Sequence, residues 1–249
     1  MAALPEPNHT TVAKIYKAYE DDADSGNRPH LGASLIGRPC ERQLWLTFRW
    51  VDAKKFSGRM LRLFETGQMA EARFTANLRR IGIEVHDVTP DGSQWRVQAL
   101  GNHFGGSMDG AGVGFPEAPK TWHVLEYKTH GEKSFTELVK KKVQGAKPEH
   151  YAQMQISMAL GGFTRALYVA VCKDDEQFYV ERVKEDKAEQ KKLQQRINKL
   201  LEARLRPAGI SDDGSSFGCK FCSMKAVCTK EAAPLRHCRT CAMCTPGPE

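Results

Sequence analysis

Asp109, Glu126 and Lys128 are the residues whose types and spacing point most directly to chemistry. The stretch that ends at Lys128 predicts a buried strand leading out to polar residues, and positions two apart on a strand face the same side. Glu126 and Lys128 would therefore project together, with Asp109 at the end of the preceding strand. Carboxylates bind Mg²⁺ or Mn²⁺, and a lysine can orient an attacking water and offset phosphate charge. This set is the minimum for metal-assisted phosphodiester cleavage.

Charged residues make up 27% of the chain, so these three residues alone are weak evidence for a catalytic site. The segments around them strengthen that evidence. Upstream, the predicted helix "FETGQMAEARF" carries Gly67 and Glu71. Downstream, the predicted helix "KPEHYAQMQISMALGG" carries Gln153. The order is thus a helix with an acid, a strand ending in Asp, a strand with Glu-x-Lys, and a helix with Gln.

This ordered set of motifs resembles the PD-(D/E)XK nuclease superfamily. The likeness is greatest to its RecB-type and phage-exonuclease branch, which includes the CRISPR-adaptation nucleases with an iron–sulfur cluster. The resemblance implies that Asp109 and Glu126 are ligands of Mg²⁺ or Mn²⁺ and that Lys128 is the catalytic lysine. It also implies that Glu71 belongs to the first motif, beside the metal, and that Gln153 belongs to the fourth.

The fourth motif departs from the family pattern. Relatives carry Gln-x-x-x-Tyr, whereas the residue four positions after Gln153 is Ser157. Tyr151 lies nearby but on a different helical face from Ser157. The departure concerns the positioning of DNA rather than the metal site. It favours the alternative function, which is a DNA-binding accessory protein with the nuclease fold, weak or no turnover, and a zinc ribbon.

The resemblance covers residues 34–228 and implies an α/β fold with a mixed, restriction-endonuclease-like β-sheet core flanked by helices. We expect an N-terminal helix and loop over 1–33, the nuclease core with its helical wrap over 34–210, and a cysteine-rich metal-binding tail over 211–249 that packs back on Cys40. The implied activity is hydrolysis of DNA from an end, in recombination or repair of a phage or mobile element. DNA is the expected partner, together with a recombination or replication protein.

Four of the eight cysteines form the first expected metal site. Cys40 stands near the start of the chain, and the pattern Cys219-x2-Cys222-x5-Cys228 follows a long predicted helix. This arrangement resembles the iron–sulfur staple of RecB-type nucleases, and four thiolates suit a [4Fe–4S] cluster. Such a cluster would clip the first helices to the tail, which is a structural role.

The same tail also allows a four-cysteine zinc ribbon. That grouping pairs Cys219 and Cys222 with Cys241 and Cys244, and it leaves Cys40, Cys228 and Cys238 without partners, Cys172 being expected in the core. If the iron–sulfur staple forms instead, the remaining ligand-type residues make up a second site, for which Zn²⁺ is the expected ion: His237, Cys238, Cys241 and Cys244.

The net charge is +7 and the isoelectric point is about 9.0, which suits a polyanionic partner. A basic run follows the Glu-x-Lys strand and is expected to contact DNA phosphates, the alternative being a solvated basic face. The residues expected to bind DNA are Lys140, Lys141, Lys142, Lys147 and Tyr151. The sequence shows no membrane span and no signal pattern, so we expect the cytoplasm of a bacterial or phage-infected cell, where thiols serve as ligands rather than disulfides.

Apolar periodicity and turn residues predict the elements that position these groups. Ser34 is predicted to cap a helix through "CERQLWLTFRW", and 103–109 is predicted to be one strand. The predicted helices cover 11–23, 59–81, 135–142 and 149–160. The other predicted strands cover 84–88, 94–100, 123–128, 166–172 and 178–183. A long helix follows, with an apolar face formed by Leu193, Ile197, Leu200, Leu201 and Leu205.

Overall fold

The computed structural model describes residues 10–23, 27–53, 55–241, 243–244 and 246–247. These residues form two β-sheets with helices packed around them, which confirms the predicted mixed α/β class. The helices are α1 (Thr10–Asp22), α2 (Glu41–Phe48), α3 (Gly58–Arg80), α4 (Glu132–Ala146), α5 (Pro148–Gly161), α6 (Lys187–Glu202) and α7 (Lys225–Cys228). The strands are β1 (Leu31–Gly32), β2 (Glu84–His86), β3 (Arg96–Ala99), β4 (Phe104–Ser107), β5 (Gly110–Val113), β6 (His123–His130), β7 (Arg165–Cys172) and β8 (Phe178–Lys184).

The larger sheet has the strand order β2-β5-β6-β7-β8, and only β6 and β7 pair in parallel. Both faces of this central pair are buried over most of its length, which agrees with the nearly continuous apolar sequence of β7. On one face, Leu125 packs with Phe74 of α3. On the other face, Val124 packs with Leu138 of α4 and Met154 of α5. The central strand β6 is therefore held between helices on both sides.

The predicted strand over 103–109 is confirmed as β4, but its predicted end is wrong, because the strand stops at Ser107 and the chain then changes sheets. β4 pairs with β1 and β3 in the smaller sheet, whereas β5 pairs with β2 and β6 in the larger one. Gly110 allows this break, since its φ of 150° suits glycine and an added Cβ would lie 2.9 Å from the carbonyl oxygen of His86. Asp109 consequently lies between the two sheets, at the start of β5.

Ser34 does not cap a helix, and that prediction is also wrong. It lies in a short 3₁₀ turn, and α2 begins only at Glu41. Pro39 disfavours helical backbone at the residue before it, which separates the two elements. The residue that caps α2 is Cys40, whose Sγ accepts a hydrogen bond from the backbone N–H of Gln43 at 3.4 Å.

The long helix α6 buries the predicted apolar face, except at its last position. Leu193, Ile197, Leu200 and Leu201 are buried, whereas Leu205 is 82% exposed. The helix ends at Glu202 because Ala203 adopts extended backbone. The inclusion of Leu205 in this face was therefore wrong.

A helical arm, which we define as α1 together with residues 58–70 of α3, stands beside the larger sheet. α1 has no buried residue and packs on α3. The crossing is close at Gly58, where an added Cβ would lie 2.2 Å from the carbonyl oxygen of Tyr16. Glu20 Oε1 accepts a hydrogen bond from the Gly58 N–H at 2.8 Å. In the described ranges, no helix is both long and apolar enough to cross a membrane.

Candidate active site

Glu126 and Lys128 project from the same face of β6, as predicted. The Lys128 Nζ donates hydrogen bonds to Glu126 Oε1 and to the carbonyl oxygen of Tyr127, the latter at 3.0 Å. The Glu126 side chain is 1% exposed, whereas that of Lys128 is 26% exposed. The carboxylate is thus enclosed, and the ammonium group that holds it reaches the surface of the site.

Gln153 and Asp109 complete the inner part of the site. Gln153 projects from α5, and its Nε2 donates to Glu126 Oε2 at 2.9 Å. Each oxygen of the Glu126 carboxylate therefore accepts one side-chain hydrogen bond. Asp109 Oδ2 accepts a hydrogen bond from the backbone N–H of Tyr127 at 2.6 Å, which fixes that carboxylate beside β6. Three separate elements thus position these side chains.

The carboxyl groups of the site oppose one another's ionisation. Burial raises the pKa of Glu126 to about 7; Lys128 counteracts this effect, and the charges of Asp109 and Glu71 add to it. Burial also raises the pKa of Asp109. The pKa of Glu71 is raised by burial and by the charge of Asp109. The charge of Lys128 does not fully compensate three crowded acids.

This donor set fits a hard divalent cation, because it offers carboxylate oxygens whose mutual repulsion a positive charge would relieve. Asp109 and Glu126 are the residues that would hold such an ion, with Glu71 beside them. As the side chains stand, no three His, Cys, Asp or Glu residues in the described ranges are close enough together to enclose a metal ion. Binding would therefore require small rearrangements of these carboxylates.

A cavity of about 830 Å³ opens at the site, between β6 and the helical arm. Glu71 and Lys128 line it from the side of the site. Phe56 and Phe64 line it from the side of the arm. The volume lies within the usual range for ligand pockets. A substrate could reach Lys128 from this cavity.

The residues expected to bind DNA do not form one cluster. Lys140, Lys141 and Lys142 are exposed on α4, and Lys141 forms an ion pair with Glu137 at 2.9 Å. The half-buried Lys147 donates to Ser134 Oγ at 2.7 Å. Tyr151 packs against the hydrophobic core, and Ser157 is buried.

A buried polar chain behind the site was not predicted from the sequence. The Tyr168 hydroxyl lies 2.9 Å from His130 Nε2 and 2.8 Å from His150 Nδ1. Tyr168 pairs in register with Glu126, so this chain lies on the neighbouring strand. Burial lowers the pKa of His130 to about 4 and that of His150 to about 3. Both imidazoles are therefore neutral near pH 7. From the sequence, His130 was expected to be an ordinary loop histidine, with contact to a phosphate or the water network as the alternative, and His150 was given no role; the structure instead buries His130.

The first cysteine group meets where α2 faces the tail. Cys40, Cys219, Cys222 and Cys228 line one cavity of about 20 Å³. Such a cavity has room for about one water-sized atom, so a four-iron cluster would need the thiols to move apart. Burial raises the pKa of Cys222, and the other three thiols of the group add to this effect. The donor set suits a thiolate-ligated metal.

The other tail cysteines lie near the C-terminal end of α2, whereas Cys40 caps its N-terminal end. The Arg49 guanidinium donates to the carbonyl oxygens of Cys241 and Cys244 at 2.9 Å and 2.8 Å. Cys238 and Cys244 line a cavity of about 220 Å³ near Phe48 and Arg49. His237 Nε2 lies 3.0 Å from the carbonyl oxygen of Trp50. The structure therefore groups Cys219 and Cys222 with Cys40 and Cys228, whereas the zinc-ribbon alternative would group them with Cys241 and Cys244.

Comparison with known proteins gives a family and a fold. A sequence model of the PD-(D/E)XK nuclease superfamily matches residues 9–229. The chain is similar to the crystal structure of an alkaline exonuclease (LHK-Exo) from Laribacter hongkongensis, with a TM-score of 0.50 and 18% identity over 76% of this chain and 90% of that one. It is also similar to the crystal structure of SSO0001, with a TM-score of 0.52 and 12% identity over 90% of this chain and 98% of that one. No curated protein matches the sequence significantly.

Proposed function

Because the chain belongs to the PD-(D/E)XK nuclease superfamily, we propose that it is a Mg²⁺- or Mn²⁺-dependent deoxyribonuclease that shortens DNA from an end. The observation that carries the proposal is the double hold on Glu126. Lys128 and Gln153 each occupy one oxygen of this buried carboxylate, and Asp109 is fixed beside the same strand. An exposed acid aids solubility, whereas a buried acid held in place by a cation and an amide is preorganised for chemistry.

The residues of the site divide the work. Asp109 and Glu126 would hold the divalent ion, which would supply activation of the attacking water and neutralisation of phosphate charge. Gln153 and the Tyr127 N–H keep the two carboxylates oriented. Lys128 presents an ammonium group at the mouth of the site, where it offsets charge that develops on the phosphate in the transition state. Glu71 faces the same cavity and supports the ion or its water from α3.

Attack from a strand end is supported by the exonuclease named among the similar folds. A role in recombination or repair of phage or mobile-element DNA rests on the resemblance of the motifs. The basic residues of α4 and the loop after it (Lys140, Lys141, Lys142 and Lys147), with Tyr151, are proposed to contact the DNA backbone, because they follow β6 in the chain and the first three are exposed.

We further propose that Cys40, Cys219, Cys222 and Cys228 hold a [4Fe–4S] cluster with a structural role. Their shared cavity supports the grouping, and the resemblance to RecB-type nucleases supports the cluster. His237, Cys238, Cys241 and Cys244 are then proposed as a separate Zn²⁺ site.

End-labelled digestion tests the proposed activity. Linear single-stranded and duplex DNA, labelled at either end, and a closed circular plasmid are incubated with Mg²⁺, with Mn²⁺ or with EDTA. We expect metal-dependent shortening of linear DNA and no cutting of the circle. Cutting of the circle would show an endonuclease. Binding of DNA without any cleavage would favour the alternative of an inactive accessory protein.

A further inference from the structure

The arm side of the active-site cavity is apolar and exposed, in contrast to its polar floor. Phe56 and Phe64 are 38% and 42% exposed, and their rings meet edge to face with centroids 5.1 Å apart. Both line the same cavity as Glu71 and Lys128. A pair of large apolar side chains left in solvent beside a charged site indicates a ligand surface rather than core packing.

Gly67 leaves additional open space on the same wall. It lies in the interior of α3, where glycine costs helix stability relative to alanine. An added Cβ at this position would meet no protein atom within 4 Å, so packing does not require the glycine. Since Gly67 also lines the cavity, its missing side chain leaves room for a molecule in the cavity.

The arm is held firmly enough to serve as a wall. Its close crossing at Gly58 is joined by a hydrogen bond from Tyr19 OH to Glu65 Oε2 at 2.5 Å, and the Arg62 guanidinium lies over the Tyr19 ring at 5.8 Å. These contacts fix the part of α3 that carries Phe64. The exposed Arg28 lines the cavity as well and adds a positive charge.

We infer that Phe56 and Phe64 form a stacking platform for an unpaired base at the end of the strand being cut, while Arg28 attracts its phosphate backbone. This inference rests on the proposed function and names its substrate as a single-stranded or frayed DNA end. Every base has an aromatic face, so stacking holds a base without reading its identity. A base in the interior of a duplex could not lie on the platform, because both of its faces are covered by its neighbours.

Kinetics that combine a change in the DNA with a change in the protein test the platform. Oligonucleotides with an abasic site in place of the terminal base, placed at each end in turn, are compared with intact ones. For the unmodified protein, we expect the abasic end that is attacked to raise KM about tenfold, the scale of one lost stacking contact. Phe64→Ala should raise KM for intact DNA by a similar factor, with kcat nearly unchanged, and should show no further loss on abasic DNA.

The controls separate the platform from a general defect. Met69→Ala alters a residue of the same helix that is 73% exposed and lines a neighbouring cavity instead, so it should behave as the unmodified protein. Gly67→Leu should raise KM without lowering the melting temperature, because leucine favours helix and its Cβ meets no protein atom within 4 Å. If an abasic end raises KM by the same factor for the unmodified and Phe64→Ala proteins, the platform is overturned.

A binding measurement keeps the platform distinct from the nuclease proposal. Terminal 2-aminopurine fluoresces less when it stacks, so its signal is followed on binding to Lys128→Ala protein. Quenching that disappears in the Lys128→Ala/Phe64→Ala double variant supports the platform even if the unmodified protein cleaves nothing. Undiminished quenching in the double variant contradicts the platform even if cleavage is normal.

Discussion

The candidate active site and the cysteine-rich tail both gather reactive groups, but different parts of the chain hold them. In the site, side chains hold one another: Glu126 is held by Lys128 and Gln153, which lie within 27 residues of it. Around the tail, Arg42 of α2 and Arg49 at its C-cap bind mainly backbone carbonyls and the exposed Asp212, 154 to 195 residues away. Of the tail sulfurs, Cys228 Sγ accepts a hydrogen bond from Arg42 at 3.7 Å and Cys241 Sγ accepts one from the Met243 N–H at 3.4 Å. The site is therefore organised by its own side chains, and the tail needs something further to bring its thiols into order, which is the role we propose for metals.

The largest expected effect comes from Lys128→Ala. Loss of a preorganised charge at the transition state should lower kcat by about a hundredfold or more. Because Asp109 and Glu126 remain, binding of Mn²⁺ measured by calorimetry should largely persist, whereas Asp109→Ala and Glu126→Ala should abolish it. Lys192→Ala, which removes an exposed lysine paired with Glu189, is the matched control. Near-normal digestion by the Lys128→Ala protein would refute the assignment of the catalytic lysine.

The cysteine groups give the next largest effect and test whether a metal orders the tail. Cys40→Ser keeps the cap of α2, since serine is a preferred N-cap residue. Any loss of stability therefore reports the missing thiolate. Protein purified without oxygen should be brown, with about four irons per chain. Cys40→Ser should bleach the protein and lower its melting temperature, and Cys241→Ser should leave the colour intact.

Zinc analysis distinguishes the alternative grouping. In a zinc ribbon of Cys219, Cys222, Cys241 and Cys244, Cys40→Ser would leave the metal content unchanged and Cys241→Ser would reduce it. Colourless anaerobic protein that carries only zinc and tolerates Cys40→Ser would disprove the staple. The nuclease proposal would survive that result, because the residues of its site lie outside the tail.

Sequence reasoning located the active-site residues better than it located their surroundings. Glu126 and Lys128 were predictable because their same-face relation follows from the two-residue period of a strand. The strand break beside Asp109 was not, since it depends on which sheet each half joins. The approach of Cys40 to Cys228 was suggested only by resemblance, and Phe56 and Phe64 gave no signal. Their positions follow from how helices pack on one another, which local patterns do not specify.

The pH dependence of stability tests how strongly the candidate active site, unlike the tail, constrains a buried group of its own. The pKa of Glu126 is about 7 in the folded protein, above the ordinary value of 4.5. In metal-free protein, its contribution to stability is therefore fully present below about pH 4.5 and is lost as pH rises through about 7. Relative to Glu126→Gln, the unmodified protein should lose up to about 3 kcal/mol of unfolding free energy over this range.

Thermal melts at a series of pH values measure this difference, and groups that do not interact with Glu126 cancel between the two proteins, including the buried histidines. Saturating Mg²⁺ should remove the loss in the unmodified protein, since a cation bound at Glu126 favours its ionised form. It should have little effect on Glu126→Gln. Parallel melting curves for the two proteins across the range would show that Glu126 is not a strained buried acid.

The smallest expected effect belongs to Glu71, which faces the cavity from α3. Glu71→Gln keeps the size of the side chain and removes a negative charge near Asp109 and Lys128. We expect activity to fall several-fold and the Mn²⁺ concentration for half-maximal rate to rise. Because the charge of Glu71 raises the pKa of Glu126, the acid limb of the rate profile should also move to lower pH. Glu137→Gln, at an exposed residue paired with Lys141, should change neither property. If Glu71→Gln matches that control in both metal requirement and pH profile, then Glu71 is only a solvated wall of the cavity and the metal site consists of Asp109 and Glu126 alone.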